Sequence, residues 1–123
     1  MELFRPIFVP DEFKEAVSGT AWLRAMLEAE GALAVAQAQA GLIPRQAAET
    51  IVSCCDVDRF DSEEIGRKGR DQGNPVPPLV HSLTRAVSRV SEDAAGHVHK
   101  GATSQDIMDT AAMLVCQDRK SVV

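Results

Sequence analysis

The 123 residues include no tyrosine, a single tryptophan (Trp22) and only 4% aromatic side chains. That argues against a β-sandwich or barrel, whose strands depend on aromatic and β-branched residues. No uninterrupted apolar run reaches the roughly 18 residues that a membrane span requires, so no membrane partner is expected. The opening MELFRPIFVPDEF has neither the basic start nor the apolar stretch of a secretory signal, and a cytoplasmic chain is the expectation. Cysteine is scarce: Cys54, Cys55 and Cys116 are an odd set without metal-ligand spacing. Reduced, partly buried thiols are therefore predicted, with Cys116 in a helix core. Long cationic runs are missing too. With 13 Lys+Arg against 18 Asp+Glu and a net charge of −5, the chain lacks the phosphate contacts on which nucleic-acid binding rests.

What is present is the ordinary balance of a packed domain, 45% hydrophobic and 25% charged, rich in alanine. All-α is the predicted fold class. Asp11 to Val17 reads as a short helix between Pro10 and Gly19. Trp22, Met26, Ala29, Leu33, Ala36 and Ala40 then recur at alternating steps of four and three, a helical seam that Gly41 closes. Gly31 lies inside that helix at about 1 kcal/mol relative to alanine, which packing must offset. Pro44 fits a first helical position, with a helix running to about Cys55. A polar connection leads to a short helix near Ser62–Gln72. The GNPVPP segment at 73–78 is expected to be a rigid, extended approach to the next helix, roughly 78–90. Leu79, Leu83, Ala86, Val87 and Val90 form the stripe of that helix.

The segment HVHKGATSQDIMDT gathers the residue types that carry chemistry. Thr103 followed three residues on by Asp106 is a variant capping box, so a helix should begin at 103 or 104 with Asp106 as a structural cap. Its first amides are unpaired and its dipole is positive there, and the Thr103 and Ser104 hydroxyls stand beside them. A carboxylate fits such a place, with His99 able to reach it across Gly101. Read on residue types alone, the bland alternative is a helix cap flanked by surface histidines. Ile107, Met108, Ala111, Ala112, Leu114 and Val115 cover more than one narrow stripe, so the helix is expected to have neighbours on several sides. The chain stops after DRKSVV without a C-cap glycine and reads as cut short within a helix.

HKGATSQDIMDTA, GNPVPPLV and AWLRAMLEAEGALAVAQAQAGLIP together resemble the N-terminal part of the 3-carboxy-cis,cis-muconate cycloisomerases. These enzymes belong to the fumarase/aspartase superfamily, with adenylosuccinate lyase. The resemblance implies an N-terminal helical domain over 1–102 and, from 103 to 123, the truncated start of a central bundle helix. It implies metal-free, cofactor-free conversion of a tricarboxylate to 4-carboxymuconolactone in protocatechuate breakdown (the β-ketoadipate pathway), by a homotetramer. Carried over by position, His99, Thr103, Ser104 and Asn74 become substrate-binding residues. The family's second histidine segment and serine loop, resembling GSSxMPxKxN, do not occur here. The catalytic acid and base are thus expected outside this sequence, and the chain alone is expected to be inactive. An adenylosuccinate lyase-like C–N lyase and a non-catalytic helical association module are the alternatives. His81, His97 and His99 invite a metal reading only if they share a face, and they lack the companions zinc uses. His81 is expected on a helix surface, and Asp106 and Asp109 are expected to complement the helix dipole.

Overall fold

The structure, a computed structural model, describes residues 3–120, with the side chains of that span except those of Arg5, Arg119 and Lys120. Two short helices, α1 (Arg5–Phe8) and α2 (Asp11–Ala16), lead into a 21-residue helix, α3 (Gly19–Gln39). Ser18 opens α3 by accepting the Ala21 N–H at 3.2 Å, which satisfies one of the donors a first turn leaves orphaned. Gly41 closes it at φ 77°, where Leu42 N–H reaches Gln37 O and Gly41 N–H reaches Ala38 O. That pair of bonds is a Schellman motif, and the left-handed backbone it needs is why glycine stands there.

Next come α4 (Arg45–Cys54), a 3₁₀ turn at Val57–Arg59 and α5 (Ser62–Gln72). The chain continues through α6 (Val76–Ser88), α7 (Glu92–Ala95) and α8 (Ser104–Lys120). Every regular element among the described residues is helical, as the composition requires. Helix α3 is the spine. Helix α8 packs along it on one side and α4 on another, while α6 joins α4, α5, α7 and α8. Leu27, Ile51, Leu79, Leu83, Val76 and Val87 are sealed at the centre. Burying a side chain of this kind stabilises by about 1.5–3 kcal/mol.

Several expectations from the sequence are displaced. The GNPVPP segment is not an extended approach. Pro75 adopts helical angles (φ −82°, ψ −7°) as the cap of α6, and Pro77 and Pro78 lie in its first turn, where the missing N–H groups would be unpaired anyway. Pro44 is one residue outside α4, as its cap. On α6, Val90 is 66% exposed because the helix has already ended at Ser88. The α3 seam is also shifted: Leu23, Leu27, Glu30 and Ala34 are buried together with Met26 and Ala29, while Ala36 and Ala40 are exposed. Cys116 is exposed, not a core residue, because the inner face of α8 belongs to Ile107, Ala111 and Val115. The cut-short reading of DRKSVV falls partly on 121–123, outside the described residues.

Candidate functional site

The start of α8 is built by the capping box that the sequence shows. Thr103 Oγ1 accepts the Asp106 N–H at 3.3 Å, and Asp106 Oδ2 accepts the Thr103 N–H at 2.9 Å. These two bonds to Thr103 hold the Asp106 carboxyl below its ordinary value. One helix-end donor is therefore already answered. Among the described residues, the amides of Ser104 and Gln105 make no intramolecular hydrogen bond, and both lie where the helix dipole is positive.

A tight loop delivers the histidine. Residues 96–101 turn back on themselves, with His99 at φ 56° and Gly101 at φ 73°. A non-glycine residue in that region is uncommon and strained. The strain is held from α3. Glu30, 1% exposed, places Oε1 2.6 Å from His99 Nδ1, and Gln37, two turns further along the same helix face, donates from Nε2 to Lys100 O at 2.6 Å. Burial pushes the Glu30 carboxyl above its ordinary range, with His99 drawing it back. Beside it the Cys55 thiol is pushed up to about 12, by burial first and then by the Glu30 and Cys54 groups, so it stays protonated.

His99 and Ser104 meet on one open cavity of about 440 Å³, lined also by Val76, Pro77, Val80, His81 and Thr84 of α6. Two of the four substrate-binding candidates are thus brought to one place. The other two do not line it. Thr103 is exposed and engaged in its cap, while Asn74 uses Oδ1 to accept the Val76 N–H at 2.9 Å and so caps α6. Asn74 is itself held where the chain passes close to Gly69, since a Cβ there would stand 3.0 Å from the Asn74 carbonyl oxygen. His81 is exposed on α6 as expected from the sequence, yet it also faces this cavity.

Glu30 is the residue that sequence reasoning missed. Its signal was available: an acid at the centre of a 23-27-30-34 seam, which the competing seam through Trp22 and Ala29 concealed. His97 lines a different cavity, with Pro44 and Thr50. The three histidines do not share a face, because 96–101 is a turn and not an extended strand. Among the described residues no group of three or more His, Cys, Asp or Glu is placed to hold a metal ion.

No family model matches the chain. It is 45% identical over 113 residues to nitrosuccinate lyase of Streptomyces davaonensis, covering 92% of this chain and 24% of that protein. It is 41% identical over 124 aligned positions to 3-carboxy-cis,cis-muconate cycloisomerase of Acinetobacter baylyi, covering 99% and 28% respectively. The crystal structure of beta-carboxy-cis,cis-muconate cycloisomerase from Acinetobacter calcoaceticus matches with a TM-score of 0.88 at 42% identity, over 94% of this chain and 27% of that one. The chain therefore spans about a quarter of the length of the relatives it matches. Its fold is that of the helical N-terminal domains of fumarase/aspartase-superfamily enzymes. Within that class the relatives it resembles at 34–45% identity are 3-carboxy-cis,cis-muconate cycloisomerases and related lyases, about a quarter of whose length it matches.

Proposed function

We propose that this chain forms one wall of a polycarboxylate site in an enzyme that cyclises 3-carboxy-cis,cis-muconate to 4-carboxymuconolactone. In that reaction one substrate carboxylate adds across a double bond and a proton is placed on the adjacent carbon. The observation that carries the reading is that His99 and Ser104 both line the cavity at the start of α8. The Ser104 hydroxyl and the free amides of Ser104 and Gln105 bind a carboxylate there, Thr103 offers its hydroxyl proton while its oxygen caps the helix, and His99 makes a further contact. Asn74 and Thr103 lie outside the lining of that cavity, so a polycarboxylate reaches them only by extending beyond it, where Asn74 Nδ2 is the donor left by the engaged Oδ1. The enzyme is cytoplasmic, acts in protocatechuate breakdown and works as a homotetramer. The described residues up to 102 form its N-terminal helical domain, and those from 103 to 120 open its bundle helix. The serine loop implied by the resemblance is not among these residues, so the chain does not turn substrate over alone. Lactone formed by the purified chain in a coupled assay would refute that last statement.

Propane-1,2,3-tricarboxylate is the direct probe of the site. It should raise the thermal midpoint of the chain in a concentration-dependent way, and Ser104→Ala should weaken that rise several-fold. An unmoved midpoint at saturating probe ends the proposal. The 45% identity to nitrosuccinate lyase favours a second reading, a C–N lyase acting on a succinate-bearing substrate. Stronger stabilisation by succinate than by the tricarboxylate would select it.

A further inference from the structure

We propose that Glu30 is a positioning residue for His99, holding Nδ1 against α3 and so confining the proton exchange of the ring to Nε2, the nitrogen left for the cavity. Glu30 is the buried charged residue of the core, set in the apolar seam between Leu27 and Ala34. A carboxylate in such a place is tolerated only when it is paired and hydrogen-bonded. Its one bond among the described residues is the 2.6 Å contact with His99, for its second oxygen, Oε2, is buried without a partner.

The charge and the short bond of His99 favour the ionised carboxylate against the burial that raises its pKa, and in that ionised state it has lone pairs and no proton to give, so the imidazole nitrogen facing it is the donor. With Nδ1–H fixed, the neutral ring presents a bare Nε2 and the protonated ring presents Nε2–H, and only that atom changes state. The Gln37 bond to Lys100 O already tethers the loop from the same helix face, so anchoring alone does not require an acid at position 30. What the acid adds is the choice of nitrogen. Carboxylates that fix the tautomer of a working histidine act in this way. The inference rests on the carboxylate-site reading for its purpose, but its test does not.

The test is the histidine ¹H–¹⁵N spectrum of the 123-residue chain, recorded without ligand between about pH 5 and 8. At neutral pH His99 is expected to carry its proton on Nδ1, leaving Nε2 bare. In Glu30→Gln the Nε2–H tautomer becomes populated, with helical content unchanged by circular dichroism. A wild-type ring that carries its neutral-state proton on Nε2 overturns the proposal, whether or not the variant folds. So does a folded Glu30→Gln variant with the wild-type tautomer. Adding propane-1,2,3-tricarboxylate separates the two claims. A locked Nδ1–H ring that ignores the probe supports the positioning role and defeats the carboxylate site. A responsive ring without the lock defeats the positioning role alone.

Discussion

The Thr103 oxygen caps α8 by accepting the Asp106 amide, which leaves its hydroxyl proton for the donor role proposed above. Removing it should show the structural share first. Thr103→Ala is expected to lower stability by about 1 kcal/mol in urea unfolding. Asp106 gives the same cap a pH signature. Its carboxyl is held below the ordinary value of 3.8 by the two bonds to Thr103, with burial and His99 as smaller influences. A depressed acid stabilises the fold above its unfolded value, and that contribution fades as pH falls through the folded one. The stability gap between wild type and Asp106→Ala should hold from neutrality to about that ordinary value and narrow below it. A gap that widens in acid would contradict the cap. These residues were legible in the sequence because the capping box is a three-residue spacing within one strand of text. The seam position of Glu30 was readable but its pairing with His99 was not, since that partner lies 69 positions away.

At the scale of elements, two glycines in helices have opposite reasons for being there. Gly31 was expected to be compensated by close packing. A Cβ at that position would stand 3.8 Å from Cys55 Sγ and Val52 Cγ2, ordinary contact distances. Gly31→Ala should therefore stabilise the chain by about 1 kcal/mol. Gly69, on α5, has the backbone of Asn74 and Pro75 at 3.0–3.2 Å from the same imagined atom. Gly69→Ala should cost roughly 1–3 kcal/mol, because backbone cannot move aside as a flexible side chain does. Chemical denaturation of the pair checks both signs, and equal effects would show that neither helix contact matters. The same local crowding explains why GNPVPP misled the sequence reading. Three prolines look like a break, but clustered at a helix start they forfeit only donors that the first turn leaves unpaired.

Across the whole molecule the buried surface is gathered around α3, and some apolar side chains remain outside. Phe4, Ile7, Phe8 and Phe13 near the start are exposed, as is Met113 on α8, while α2 packs against α8. The proposed homotetramer, and equally a helical association module, would place such residues in subunit contacts. Sedimentation velocity at rising concentration should show species above the 13.2 kDa monomer. A monomer at every concentration would remove the oligomer from the proposal and weaken the association alternative with it. No helix among the described residues is long and apolar enough to cross a membrane.

The sequence by itself determined the helical class, most helix bounds and the capped start of α8, because caps, glycine stops and four-three apolar spacing are interactions between near neighbours in the chain. Tertiary structure alone decided which of two overlapping seams on α3 is buried. It decided that Cys116 faces out, that Glu30 meets His99, and that His99 and Ser104 line one cavity. Those outcomes depend on which helices lie against α3, and the free energy of burial is settled between surfaces that the order of residues does not bring side by side.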